Sequence, residues 1–142
     1  MRIEKFIFII DHEKSNIFPL MMAISGMKKG IGCVDHASGM QEAFEKLPAL
    51  WYTPSLIIIN NNLPETNGMQ ILKRLKIHSK LKTIPVLLNN VSGKEITEEE
   101  GFKAKALGAE DYTAVHAYSL KSKLDAFLNK ITDIAFREEK RL

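Results

Sequence analysis

The sequence predicts an α/β protein: five βα units forming a doubly wound, five-stranded parallel sheet with strand order 2-1-3-4-5. Two observations carry this. Short apolar runs alternate with longer stretches of helical periodicity along the chain. The runs are continuous rather than alternating, which suits parallel strands buried on both faces. A length of 142 residues fits one domain with a sizeable core.

Phe6 to Ile10, Ile31 to Val34, Leu56 to Ile59, Val86 to Leu88 and Tyr112 to Val115 read as the five strands. The first helix carries Ile17, Leu20, Met21 and Ile24 on one stripe. Ser15 is its expected N-cap, which would place Pro19 in the first turn, where proline is tolerated. Ser38 with Gln41 forms a capping-box pattern before Met40, Ala43, Phe44 and Leu47. Ile71, Leu72 and Leu75 mark the third helix. Thr97 and Glu100 form a second capping box, ahead of Phe102, Ala106 and Leu107. The fifth helix runs from about Ser119 to beyond Ile134, with Leu120, Leu124, Phe127, Leu128, Ile131 and Ile134 at helical spacing. Crossovers of this kind place helices on both faces of the sheet. The chain reads as a single domain over 1–142, with a core of about 4–132 and a charged tail at 137–142 that is expected to fray.

Composition narrows the function. Apolar residues make up 45% and charged residues 26%, as in an ordinary globular domain, and the formal net charge is +3. Lysine and arginine are spread through the helical segments, which reads as a solvated surface rather than a nucleic-acid footprint. No apolar run is long enough to span a membrane. The opening Met1 to Lys5 leads into a strand rather than a signal peptide. The one cysteine, Cys33, fits a reducing cytoplasm, and core packing is its expected role.

In an open doubly wound sheet, ligands bind at the carboxyl ends of the strands. The residues there are Asp11, His12 and Glu13; Asp35 and His36; Asn60, Asn61 and Asn62, then Leu63-Pro64 and Asn67-Gly68; Asn89 and Asn90; and His116 and Ala117. Four stretches resemble the response-regulator receiver family, of the chemotaxis-receiver type. Leu56 to Gly68 (LIIINNNLPETNG) is similar to the third-strand signature around the phosphoacceptor Asp. Phe6 to Glu13 (FIFIIDHE) resembles the first strand with its acidic pair. Ile84 to Asn90 (IPVLLNN) resembles the Pro-led fourth strand ending in Thr or Ser. Leu107 to Val115 (LGAEDYTAV) resembles the Gly-Ala-x-x-Tyr strand ending in Lys. The resemblance spans roughly residues 4–132. It implies a flavodoxin-like fold and a non-enzymatic role in two-component, phosphorelay-type signal transduction.

The active positions depart from that pattern. The phosphoacceptor position, four before Pro64, is Asn60. The acidic pair is Asp11 and His12. The Thr/Ser position, five after Pro85, is Asn90, and the Lys position, three after Tyr112, is Val115, followed by His116. Only Asp11 and the switch aromatic Tyr112 match. A carboxamide is neutral and a poor nucleophile, so Asn60 is not expected to form an acyl phosphate. Mg²⁺ prefers carboxylate and water oxygens. Each lost pair of unit charges near 4 Å is worth roughly 4 kcal/mol at an effective dielectric near 20, doubled for a divalent ion, before desolvation is subtracted. Mg²⁺ binding is therefore expected to be lost or weak, and Val115 offers no cation to a phosphate. The chain reads as a pseudo-receiver whose pocket, with Asn60 and Asn90 in a neutral hydrogen-bonded network, holds one conformation without phosphate. Tyr112 is open to two readings, a rotamer switch or a plain strand aromatic.

The pairs Asp11-His12 and Asp35-His36 are zinc-type ligands without defined ligand spacing, so no metal site is expected, Asp11 and His12 being the weak candidates. Trp51 and Tyr52 read as a packing lid at the amino end of the sheet. Met21, Met40 and Met69 read as core.

Three functions compete. The resemblance implies an interaction module using the fourth helix, fifth strand and fifth helix as a partner or homodimer face, through Lys103, Tyr112, Tyr118 and Lys121, shaped by the loop from Val91 to Glu95. A histidine kinase or an output protein would be the partner. With no output domain attached, output would come from that partner. The second reading is a receiver phosphorylated at a displaced acid, Asp11, Glu13 or Glu65, none of which has the expected lysine beside it. The third is a flavodoxin-like small-ligand binder or enzyme. Against it, no glycine-rich phosphate cradle or nucleophile elbow is present.

Overall fold

The computed structural model describes residues 3–27, 30–61, 67–116, 119 and 121–137. Its strands are β1 (Lys5–Ile10), β2 (Ile31–Ala37), β3 (Leu56–Asn60), β4 (Val86–Asn89) and β5 (Asp111–Thr113). Its helices are α1 (Lys14–Ser25), α2 (Met40–Lys46), α3 (Gly68–Ile77), α4 (Glu98–Ala106) and α5 (Lys121–Ala135), with a short 3-10 turn at Leu47–Ala49. All strand pairs are parallel and the order is β2-β1-β3-β4-β5, as the repeat pattern predicts.

Strand periodicity divides the core in two. Ile7, Ile9, Leu56, Ile58 and Leu87 point to the face covered by α1 and α5. Phe8, Ile10, Ile57, Ile59, Val86, Leu88 and Tyr112 point to the face covered by α2, α3 and α4. β3 is buried along its whole length, which explains its unbroken Leu-Ile-Ile-Ile run. Burying each such side chain contributes roughly 1.5–3 kcal/mol.

Several local expectations are corrected. α1 starts at Lys14 with Glu13 as N-cap, not Ser15, so Pro19 lies inside the helix. The turn into α1 is set by the Asp11 carboxylate, which accepts the Glu13 N–H at 3.0 Å. Without an N–H, Pro19 cannot donate the usual helical bond to the Ser15 carbonyl, and Ser15 is exposed. Gly39, not Ser38, caps α2; the Ser38 hydroxyl donates instead to Glu42 at 2.9 Å. The Thr97–Glu100 capping box is present on α4. α4 is rotated from the expected face, however: Ala104 is buried, Ala106 is exposed and Phe102 is 78% exposed. β2 is longer than read, so Asp35 and His36 lie within it. β5 is shorter, so Val115 lies beyond it.

At the amino end of the sheet, Tyr52 packs on the Phe6 ring at 4.6 Å between centroids. Trp51 meets Phe6 edge-on but is 86% exposed, so only Tyr52 acts as a lid. Leu120 and the tail from residue 138 lie outside the described residues.

Cys33 is buried, as expected, and burial pushes its thiol up to about 12. Since the thiolate is the nucleophile, native protein at pH 8 should react with a thiol reagent at least about a hundredfold more slowly than urea-unfolded protein. Comparable rates would show that β2 opens readily.

Candidate functional site

The carboxyl ends of the three central strands bring three polar side chains into one row. β3 and β4 pair with Asn60 opposite Asn89, and β1 runs beside β3 with Ile10 opposite Ile59, so Asp11 follows next to Asn60. Side chains alternate across a sheet. Asp11, Asn60 and Asn89 share the parity of Ile9, Ile58 and Leu87, so all three fall on the side of α1 and α5. They are the buried polar residues among those described, at 1%, 1% and 2% exposure.

Burial requires that their polar atoms be paired. The Asn60 amide donates to Asp11 Oδ2 at 2.7 Å, and the Asn89 amide donates to Asn60 Oδ1 at 3.3 Å. Asn89 also grips the backbone of Val115 at both ends: its Nδ2 donates to the Val115 carbonyl and its Oδ1 accepts the Val115 N–H, each at 2.9 Å. Thr113 Oγ1 donates to the same Oδ1 at 2.9 Å. The carboxamide thus does for the chain after β5 what further ladder bonds would do. A cavity of about 20 Å³, room for one water, lies beneath Asn60 and Asn89. Its walls include Leu20, Val115, Leu124 and Phe127.

Asn90 is not in the row. It has the opposite parity, and its Oδ1 accepts from the Ser92 hydroxyl at 2.8 Å, closing a turn before α4. The residue that completes the network is Asn89. Counting from Pro85 missed it; the signal was its place two residues after Leu87 on the same face. His12 lies at the rim, 3.2 Å from Glu13 Oε1 and 3.6 Å from Asp11 Oδ1. Val115 packs its side chain against the α1–α5 core. The Asp11 carboxylate accepts N–H bonds at both oxygens, from Glu13 and Asn60. No cluster of three or more His, Cys, Asp or Glu side chains suited to a metal occurs among the described residues. Asp35 is instead paired with Lys46 at 3.2 Å. Asn62 to Glu65 lie outside the described residues.

On the opposite face of the sheet, Tyr112 is turned inward and 7% exposed. This corrects its placement on an outer partner face. Asn61 Nδ2 donates to its hydroxyl. Burial pushes the Tyr112 phenol above its ordinary value, and the Asn61 hydrogen bond works against that rise. Lys103 and Lys121 are exposed, on α4 and at the start of α5; Tyr118 lies outside the described residues. Nearby, Asp111 pairs with Lys130 and, at 3.7 Å, with Lys105. Burial alone would raise its carboxyl, but the Lys130 and Lys105 ammonium groups and the Tyr112 amide together hold it below its ordinary value.

A doubly wound sheet with an acid-and-amide row at the carboxyl ends of its central strands, and an inward tyrosine on β5, defines a receiver-type module. The family model for the response regulator receiver domain matches residues 7–114, and the chain belongs to that family. The transcriptional regulatory protein SrrA of Staphylococcus aureus is 33% identical over 79 residues, covering 56% of this chain and 30% of SrrA. The match therefore spans less than a third of that relative's length. Three solved structures share the fold. The phosphorylated cyanobacterial phytochrome response regulator RcpA is 23% identical, with a TM-score of 0.72 and coverage of 94% of each chain. The receiver domain of Francisella response regulator 1452 is 18% identical, with a TM-score of 0.74, covering 95% of this chain and 99% of that one. The response regulator domain of Thermotoga maritima CheB is 21% identical, with a TM-score of 0.73, covering 94% and 97%. The chain is thus a receiver-domain signal-transduction module of the two-component type, and receivers interact with kinases and output proteins. No helix among the described residues is long and apolar enough to cross a membrane.

Proposed function

We propose that this receiver works without phosphorylation, through protein–protein contact with a kinase or output protein. The observation that supports it is Asn60. At the phosphoacceptor position stands a buried carboxamide whose amide and oxygen are both committed, to Asp11 and Asn89. It lacks the negative charge needed to attack phosphorus. Mg²⁺ binding is weak in this reading. A cation at Asp11 would compete with the N–H donors already held at both of its oxygens, and no second buried acid among the described residues would share it. The partner surface is α4, β5 and α5, with Lys103 and Lys121 exposed on it, and a homodimer through that face belongs to the same proposal. The displaced acceptors gain no support: Asp11 is buried and engaged, and Glu13 is an exposed partner of His12.

The test is incubation with Mg²⁺ and acetyl phosphate followed by intact-mass measurement, on native protein and on Asn60→Asp. Neither is expected to gain a phosphoryl group, because Val115 supplies no cation. A phosphoryl adduct on the native protein would sink the proposal. An adduct on Asn60→Asp alone would place the whole defect at one residue.

A further inference from the structure

We propose that Asn61 is a positioning residue: its carboxamide ties Tyr112 inward to the first turn of α3 and so sets the α4–β5–α5 surface without phosphate. This deepens the phosphate-independent reading and rests on it.

The tie follows from alternation at the end of β3. Asn60 sends its side chain toward α1 and α5, and Asn61 sends its own to the other side, with Ile59, Leu88 and Tyr112. One dipeptide therefore serves both faces of the sheet. The Asn61 carboxamide is divided between two elements distant in sequence. Its Nδ2 donates to the Tyr112 hydroxyl, and its Oδ1 accepts the Gly68 N–H. Its own backbone N–H donates to the Asn89 carbonyl at 2.7 Å, so the tie is anchored to the residue that completes the Asp11–Asn60 row.

Gly68 makes the close approach sterically feasible. A Cβ there would lie 2.8 Å from Leu88 Cδ2 and 2.9 Å from Asn61 Oδ1. At its other end the tie meets a phenol that is almost fully buried and needs a partner. Every contact is neutral, so the arrangement needs neither a metal nor a phosphoryl group to hold it. It also withholds the tyrosine from the outer face, leaving the exposed Lys103 and Lys121 to define that surface.

The experiment is residue-resolved amide hydrogen exchange and ring NMR on the native protein, Asn61→Ala, Tyr112→Phe and the double variant. Each single change should speed exchange at Gly68 by about tenfold, and Asn61→Ala should shift the Tyr112 ring signals. The double variant should exceed the faster single one by no more than about twofold, because both remove one shared tie. Multiplying effects, or a Gly68 amide indifferent to Tyr112→Phe, would overturn the proposal. Tyr112→Phe keeps the ring and removes only the hydroxyl, so it decides the matter even where Asn61→Ala fails to fold. Acetyl phosphate labelling reads separately. An adduct with the Gly68 response intact defeats the phosphate-independent reading and leaves the tie. No adduct and no response does the reverse.

Discussion

Asn89→Leu is expected to destabilise the protein by about 3–5 kcal/mol, a large part of what a domain of this size has in total. Leucine has the same branched skeleton with bulkier ends, so lost hydrogen bonds carry most of the loss and overpacking adds to it. Four bonds meet at this carboxamide: to Asn60 Oδ1, to the Val115 carbonyl, and from the Val115 N–H and Thr113 Oγ1. Each group left buried without a partner costs about 1–3 kcal/mol. Relaxation of the short segment after β5 and entry of water recover some of that. Urea unfolding of both proteins gives the difference directly. A loss under about 1 kcal/mol would mean that Val115 finds other partners and that Asn89 is not the clamp.

Asn60→Asp should produce a pH-dependent loss. The native amide lies 2.7 Å from Asp11 Oδ2. The change replaces that donor with a carboxylate oxygen, so two acids face one another with neither lysine nor metal between them. Two unit charges about 3 Å apart repel by roughly 5 kcal/mol at an effective dielectric near 20. The pair relieves this by taking up a proton, which raises one of its two apparent pKa values above that of the unfolded chain. A carboxyl with a raised folded pKa destabilises only where the unfolded chain would be ionised. The deficit should therefore be small near pH 4, grow as pH rises through the carboxylate range, and reach about 2–4 kcal/mol by pH 8. A deficit equal at both pH values would mean the two carboxylates move apart. If millimolar Mg²⁺ closed the gap at pH 8, two acids would suffice to hold the ion, and the weak-metal reading would fail.

Much of the architecture was legible without coordinates. The unbroken apolar runs of β1 and β3 and the helical stripe of α5 depend only on residues close in sequence, as does the Thr97–Glu100 box. The doubly wound order followed from the repeat of βα units. Local chemistry fell short where one side chain had two partners in reach. Ser38 can cap a helix or bond Glu42, and the fold selects the second. The face that α4 presents was misread because Phe102 is the bulkier residue. Its docking against β5 is decided by Ala104, whose small side chain lets the helix come close.

The site divides in the same way. By itself the sequence determined which polar residues crowd the carboxyl ends of the strands, and that they are mostly amides rather than acids. Only the tertiary structure decided that Asn89 and not Asn90 joins Asp11 and Asn60, and that Asn61 meets Tyr112. Which neighbours share a row depends on the register between strands, and a shift of one residue reverses the face on which every side chain emerges. That register is fixed by pairing and packing across the whole sheet, between residues tens of positions apart, where no local pattern reaches.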